Sequence, residues 1–235
     1  MITTLKTLNM KKITSLLFLL LMTCAIQAQK DVTTFLGIPV DGFKSEMRKK
    51  LIAKGFEPVT GMDFLKGEFN GFDVNVYIAT NNNKVYRIML CDKNTQDEAG
   101  IKNRFNKLVS QFENNKRYVT LDKYTLSDDV DISYEMTVNN KNFEAIYYQN
   151  INTEKVDSVA LLNSVKDELL SKYTKEQLEN PTEDMKTEMA MDALKAGMDL
   201  IYKKPVWFKI CRYLNEYYIT MYYDNEYNHA NGEDL

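Results

Sequence analysis

Apolar and polar residues follow two different periods along this chain, which predicts a mixture of helices and strands. Residues 44–54 carry Met47 and Leu51 four positions apart, as one face of a helix requires. Thr95 and Glu98 have the spacing of a capping box, which predicts a helix start. The apolar stripe of that second helix follows at once: Ile101, Phe105, Leu108 and Phe112.

Strands are predicted where apolar residues recur at every second position. The dipeptide Asn70-Gly71 is a strong signal for a two-residue hairpin, and strands are expected over 72–80 and 84–92. These strands follow the first predicted helix, so the first part of the chain combines one helix with an antiparallel meander.

The same order of elements is predicted a second time. Alternation over 132–138 predicts a strand, and a turn at Asn139-Asn140 leads into another strand over 143–149. A shift of 58 positions aligns both the helical and the strand windows without a gap: 44–51 with 102–109, and 73–78 with 131–136. Because any two helix–hairpin units look broadly alike, the alternative is chance similarity, and we favour a true internal repeat.

The last third of the chain departs from this pattern. A third helix is predicted over 156–173, and Pro181 marks the first turn of a fourth helix that ends near Lys203. Residues 206–213 and 217–223 then alternate as a closing hairpin before a polar tail. Methionines on the fourth helix suit either core packing or an adaptable binding face, and we favour core: Met185, Met189, Met191 and Met198.

These elements predict an α+β fold made of tandem helix plus antiparallel β-meander repeats, with two further helices and a C-terminal hairpin. The first unit is expected over 29–93 and the second over 94–152. The remaining segment, 153–235, contains the helices, the hairpin and the polar tail. All three segments are also compatible with one compact domain.

Residues 1–28 have the composition of a cleavable export signal, with Met10 as the natural start. Two lysines precede an apolar run over 13–22, and small residues lead to Ala28. That run is shorter than the roughly 20 residues of a membrane-spanning helix, so no transmembrane segment is expected in the mature chain. The signal predicts an exported protein, either periplasmic or secreted.

Cys24 leaves a second processing route open. Residues 21–24 resemble a lipoprotein box, in which the cysteine is acylated and anchors the protein to the outer membrane. Thr23 is bulkier than the small residue usual before that cysteine, so we favour ordinary cleavage after Ala28.

Charge and composition exclude several classes of partner. The chain has 235 residues, a net charge of −3 and 44% hydrophobic residues, enough for a packed core. Loss of the three lysines in the first 28 residues brings the net charge of the mature chain to −6. Without a basic cluster, neither nucleic acid nor an anionic membrane surface is an expected partner.

No motif in the sequence predicts catalysis, a cofactor or a metal. His229, the one histidine, lies in the polar tail and lacks a nucleophile or acid at a fixed spacing. Asp128, Asp129 and Asp131 offer oxygen ligands for calcium, but they lack the glycine and distal glutamate of an EF-hand loop. A solvated turn explains these three carboxylates equally well, and we expect a protein that is not an enzyme.

Cys91 and Cys211 remain in the mature chain, each within a predicted strand. An oxidising compartment permits a disulfide between them, whereas buried free thiols are also common in strands. The sequence leaves both options open, with free thiols favoured.

Aromatic residues are concentrated in the closing hairpin. Alternation places Tyr217, Ile219, Met221 and Tyr223 on one face, and Tyr218, Thr220 and Tyr222 on the other. The outer set either fills an edge with residues of high β-propensity or forms a recognition surface. The candidate binding residues are Trp207, Tyr213, Tyr218 and Tyr222.

Three stretches together resemble a group of small exported bacterial proteins of unknown function: FLGIPVDGFKSEMRKKLIAKGFEP, GEFNGFDVNVYI and YYDNEYNHANGEDL. The helix-plus-meander unit also resembles the units of β-lactamase inhibitory protein and of PepSY-like periplasmic domains. That likeness implies architecture only. We therefore expect an exported, non-enzymatic binding module for a protein or an envelope polymer. The alternative is a structural or accessory envelope protein, anchored through Cys24. The sequence indicates no oligomeric state.

Overall fold

A computed structural model describes residues 31–150, 165–167 and 169–230 of the chain. The predicted export signal over 1–28, including Cys24, lies outside these residues. So do most of the third predicted helix and the last five positions of the tail. The predictions made for those segments stay predictions.

An eight-stranded antiparallel sheet forms the centre of the fold, in the order β3-β4-β5-β6-β10-β9-β8-β7. A separate two-stranded ribbon, β1-β2, precedes it. The strands are β1 (Thr34–Phe35), β2 (Ile38–Pro39), β3 (Glu57–Pro58), β4 (Phe64–Phe69), β5 (Phe72–Asn81), β6 (Lys84–Asp92), β7 (Tyr118–Val119), β8 (Glu144–Gln149), β9 (Pro205–Tyr213) and β10 (Glu216–Asp224). All three segments predicted from the sequence contribute strands to this one sheet.

The helices of the described residues divide into two groups. One group packs on the sheet, and its long members are α1 (Lys44–Ala53) and α2 (Glu98–Glu113). A short helix, α3 (Ile132–Thr137), lies between β7 and β8. The other group connects β8 to β9: helical residues in the range 165–172, α4 (Lys175–Glu179) and α5 (Glu183–Tyr202). The α+β class predicted from the sequence is confirmed.

The hydrophobic core lies between one face of the sheet and helices α1 and α2. Helix α1 contacts β5 and β6 and buries Met47 and Leu51, whereas α2 contacts β7, β9 and β10. Phe105 and Phe112 of α2 reach Phe208, with ring centroids 5.1 Å and 5.7 Å away. Burial of each such side chain stabilises the fold by about 2 kcal/mol. The largest hydrophobic contribution to folding therefore comes from this face of the sheet.

The first described residues, 31–34, form hydrogen bonds with residues from the later part of the chain. Lys204, whose side chain is 2% exposed, donates to the Asp31 carboxylate at 2.5 Å. The main-chain N–H of Thr34 donates to the Gln149 side chain at 2.8 Å. The first described residues, from Asp31 to Thr34, are therefore an integral part of the fold.

The strand predicted over 132–138 is wrong, because these residues form helix α3. Asp131 accepts a hydrogen bond from the Tyr134 N–H and so caps the helix, while Glu98 accepts the Ile132 N–H at 2.7 Å. Ile132 is fully buried, and Met136, four residues on, packs against the core. Because the strand in the second window is missing, the 58-residue repeat is not confirmed.

One further local expectation is corrected. Asp97, not Thr95, caps α2, since its side chain accepts from the Gly100 N–H at 2.8 Å. The polar tail is docked as far as the structure describes it, because Asn225 is fully buried and donates to the Val40 carbonyl at 2.7 Å. Polar side chains at the end of β10 thus hold the N-terminal segment.

Helix α5 differs from the core helices, because none of its described residues is buried. Met191 is 69% exposed and Leu194 is 66% exposed. The expectation that the methionines of this helix form core is therefore wrong for the described structure. Its last turn contacts the sheet at Tyr148, whose ring lies 5.0 Å from that of Tyr202.

Candidate functional site: the open face of the sheet

The face of the sheet away from α1 and α2 carries the four aromatic residues singled out in the sequence. Cross-strand partners share a face, and Tyr222 pairs with Trp207 while Tyr218 pairs with Cys211. Tyr213 occupies the same alternation at the end of β9. Trp207, Tyr213, Tyr218 and Tyr222 therefore belong to one surface, which we call the open face.

A row of directly paired large side chains crosses this face. Each residue is the register partner of the next, from β4 through β5, β6, β10 and β9 to β8. With strands about 4.8 Å apart, the five steps span about 24 Å. We call this set the open-face row: Phe64, Tyr77, Met89, Tyr222, Trp207 and Ile146.

Aromatic contacts order both ends of the row. Trp207 stacks on Tyr222 with ring centroids 3.9 Å apart and an interplanar angle of 14°. Phe64 lies 5.2 Å from Tyr77. Five members are half-buried, and the sixth, Tyr222, is buried. The row is therefore an apolar surface made rigid by its own neighbours.

The ion pair between Arg87 and Asp224 lies beside Tyr222 at the centre of the row. Arg87 donates two hydrogen bonds to Asp224, from Nε at 2.6 Å and from Nη2 at 2.7 Å. The guanidinium carbon also lies 4.9 Å from the centroid of the Tyr222 ring, within the range of a cation–π contact. The Asp224 hydrogen bonds raise the pKa of Arg87, which keeps this charge permanently present beside the aromatic rings.

Tyr222 is not the exposed binding residue that the sequence predicted. It is only 9% exposed, because Trp207, Arg87 and its strand neighbours cover it. Burial also raises the pKa of its hydroxyl. Tyr222 therefore supports the surface, and the half-buried Trp207 is the more accessible ring of the stacked pair.

The tip of the β9–β10 hairpin extends the open face with two exposed apolar side chains. Tyr213 is 64% exposed and Leu214 is 78% exposed. Leu214 has a φ of 57°, a left-handed conformation that costs a residue other than glycine about 1 kcal/mol. Arg212 clamps this turn, donating to the Leu214 carbonyl at 2.7 Å and to Thr137 at 2.6 Å.

The candidate disulfide between Cys91 and Cys211 is not formed, and both thiols are free. Strand β10 lies between their strands, and Thr220 contacts both sulfur atoms, at 4.0 Å and 3.4 Å. Two strand spacings and a register offset of two residues separate the Cα atoms by about 12 Å, beyond the roughly 7 Å that a bridge tolerates. Burial raises the pKa of Cys91, which makes this thiol a weak nucleophile.

The acidic cluster does not assemble a metal site. Asp131 caps helix α3, and no group of three or more His, Cys, Asp or Glu side chains suited to a metal ion occurs within the described ranges. His229 lies edge-on to Tyr86, with centroids 5.2 Å apart.

Sequence reasoning missed several members of the site. Tyr77 and Met89 occupy outward positions of strands that were predicted, so their alternation was an available signal. The pairing of β6 with β10 had no such signal, since it joins strands from opposite ends of the chain. The ion pair between Arg87 and Asp224 depends on that same pairing.

Comparisons with protein-family models, with curated proteins and with solved structures return no match. The resemblances stated for the sequence thus stay predictions. Among the helices that the structure describes, none is long and apolar enough to cross a membrane.

Proposed function

We propose that this protein is an exported, non-enzymatic binding module that docks a partner protein against its open face. The observation that carries the proposal is the open-face row, six large side chains aligned across six strands. Apolar patches of this kind on a folded surface commonly mark interaction sites. Aromatic residues, Met and Arg are also the residue types enriched in protein interfaces.

The charges around the row favour a protein partner with an apolar contact surface. Arg87 is neutralised by Asp224, and Lys66 lies 3.2 Å from Glu57. Glu144 is the register partner of Lys209. A charged polymer would need an excess of one sign, and a neutral glycan would need free polar groups beside the aromatic rings. An apolar protein surface needs neither.

The row is already ordered before a partner arrives. The Trp207 N–H donates to Asp224 at 2.9 Å while the indole stacks on Tyr222, so the ring has one preferred orientation. Binding then requires little additional ordering of side chains, and this lowers its entropic cost. Aromatic side chains give large contact areas for the few torsions that they lose.

Site-specific photocrosslinking in cells that produce the protein tests this proposal. A benzoylphenylalanine replaces Tyr77 or Ile146, at opposite parts of the row, and Tyr134 on α3 serves as an exposed control. We expect both row positions to give an adduct with the same protein and Tyr134 to give none. The absence of an adduct at either row position, or the same adduct at Tyr134, would contradict the proposal.

The identified partner then allows a quantitative test. Tyr77→Ser is expected to weaken binding by about tenfold or more, as for an interface aromatic, whereas Tyr134→Ser leaves the affinity unchanged. Added salt should have little effect, because Arg87 and Lys66 beside the row are already ion-paired. A polydisperse adduct that only glycosidases collapse would identify an envelope polymer and exclude a protein partner.

A further inference from the structure

A cavity of about 340 Å³ lies on the opposite side of the sheet, at the junction of the N-terminal segment, the β4–β5 hairpin and the end of α2. Its volume falls within the usual range for small-molecule sites. Met221 and Tyr223 of β10 belong to its lining, as do Leu108 and Phe112 of α2. The sheet separates this cavity from the open face, so its role is independent of the proposed partner surface.

The lining combines apolar side chains with one cation and several side-chain amides. None of the twelve lining residues, all in the described part of the chain, is Asp or Glu. Arg117 is the one cation among them, and Asn70, Gln111 and Asn115 add side-chain amides. A cavity with one positive charge, amide donors and no carboxylate favours a ligand that has an apolar body and one negative charge.

Arg117 is available to such a ligand. Its side chain is exposed, and Nη2 donates to the Thr34 hydroxyl at 3.2 Å. No carboxylate forms an ion pair with Arg117 within the described ranges. The guanidinium geometry, with parallel N–H donors, matches the two oxygens of a carboxylate.

The mouth of the cavity is built from fixed groups. The side chains of Asn70 and Gln111 exchange two hydrogen bonds, at 2.6 Å and 3.2 Å, and link the hairpin to α2. Leu36 has a φ of 50° and is 41% exposed, which places a large apolar side chain in a turn that usually holds Asn or Gly. Such strain at the edge of a cavity is typical of functional positions.

Two other features bear on the sign of the ligand's charge. The C-terminal end of α2 carries a partial negative charge of about one half, but the full charge of Arg117 exceeds it. The carbonyl of Ser110 in that last turn is already bonded by Asn114. Burial raises the pKa of Tyr223 well above its usual value, so its hydroxyl stays neutral and does not repel an anion.

We propose that this cavity binds a small organic carboxylate, with the apolar body of the ligand against Phe69, Phe112 and Met221 and its carboxylate on Arg117. The amides of Gln111 and Asn115 would hold the remaining polar atoms of the ligand at the mouth.

Titration of the purified exported chain with trans-cinnamate, 3-phenylpropionate and octanoate, followed by calorimetry and ¹H–¹⁵N NMR, tests this site. We expect at least one of the three to bind saturably with a Kd of about 1 mM or lower. The uncharged amide of that acid should bind about tenfold more weakly, because it loses the charge-assisted hydrogen bonds. Peptide resonances of residues 110–118 should shift during the titration.

Variants separate this site from nonspecific adsorption. Arg117→Gln should weaken binding about tenfold, whereas Arg48→Gln, a matched change outside the cavity lining, leaves it unchanged. Gln111→Trp covers the mouth from an exposed helix position and should abolish binding, while the loss of its exposed hydrogen bonds to Asn70 lowers the free energy of unfolding only slightly. The proposal is overturned if none of the acids binds at about 5 mM, if the amide binds equally well, or if either cavity variant binds like the unmodified chain.

Discussion

The indole N–H of Trp207 donates to the Asp224 carboxylate at 2.9 Å, and the same carboxylate accepts two hydrogen bonds from Arg87. The Asp224 side chain is only 3% exposed. One buried acid at the end of β10 therefore orients the aromatic ring and the cation beside it. The open face depends on this acid, although Asp224 itself makes little contact with solvent.

Replacement of Asp224 by Ala should destabilise the protein by about 3 kcal/mol, because it leaves the Arg87 charge and the Trp207 N–H without their acceptor. Equilibrium unfolding in urea measures the loss. Asp63→Ala is the control, since Asp63 forms an exposed ion pair with Lys44 and its removal should cost less than about 1 kcal/mol. Equal losses in the two variants would contradict the anchoring role of Asp224.

Tyr147→Phe should stabilise the protein by about 1 kcal/mol at neutral pH. The Tyr147 hydroxyl is buried without a hydrogen-bond partner among the described residues, so the hydroxyl loses its contacts with water on folding. Burial also raises the pKa of Tyr147 above its ordinary value of 10.0. Above pH 10 the unfolded chain releases this proton while the folded chain keeps it, so the free energy of unfolding of the unmodified protein falls as the pH rises.

The stability advantage of Tyr147→Phe should therefore grow between about pH 10 and pH 11. Urea unfolding at a series of pH values measures it. Tyr134→Phe, at a side chain that is 54% exposed, should change the stability by less than about 0.5 kcal/mol. A constant or shrinking difference for Tyr147→Phe would show that the hydroxyl is not shielded from solvent.

Both mature cysteines should react as free thiols. Alkylation of the unfolded, unreduced protein is expected to modify Cys91 and Cys211, and reductant should not change the melting temperature, because β10 holds the two strands apart. A disulfide over a loop of this length would stabilise by about 5 kcal/mol, so its reduction would lower the melting temperature clearly.

Gly67→Ala should destabilise the protein by about 1–3 kcal/mol, because the new Cβ would lie 2.5 Å from a ring carbon of buried Phe56. Gly197→Ala is the opposite control. Its Cβ meets nothing within 4 Å in helix α5, and alanine should stabilise the helix by about 1 kcal/mol. Thermal and urea unfolding compare the two variants, and a neutral Gly67→Ala would show that the Phe56 ring can move aside.

The exported chain should begin at Gln29 and carry no lipid. Asp31 accepts a hydrogen bond from buried Lys204, and cleavage after Ala28 keeps this residue in the mature chain. N-terminal sequencing and palmitate labelling measure this. A label that disappears in Cys24→Ser would instead support the anchored envelope protein.

Local signals were enough to predict several elements. Helix α1 was expected from one apolar face, and the β4–β5 hairpin from Asn70-Gly71, whose φ values of 56° and 79° are those of a tight primed turn. Helix α5 was also expected, but with Pro181 in its first turn; the helix begins at Glu183, where Thr182 accepts from the Met185 N–H as the N-cap. In each case the residues that decide the conformation lie within one turn of each other.

Helix α3 shows where this reasoning fails. Ile132 and Met136 fit alternation, but they also lie four residues apart and fit one face of a helix. Asp131 supplies a local cap at the start of the helix, and Glu98 of helix α2 accepts the Ile132 N–H from a distant part of the sequence. A contact between residues that are distant in sequence cannot be predicted from the local spacing of apolar residues.

The sequence by itself determined the α+β class, most strand and helix positions, and the two faces of the closing hairpin, because side-chain alternation is a local property of a strand. Only the tertiary structure decided which strands became neighbours. The pairing of Met89 with Tyr222 completes the open-face row, and the pairing of Ile88 with Tyr223 joins the two halves of the core. Both pairings form because distant segments share one hydrophobic core. The pattern of apolar residues along the chain therefore cannot predict them.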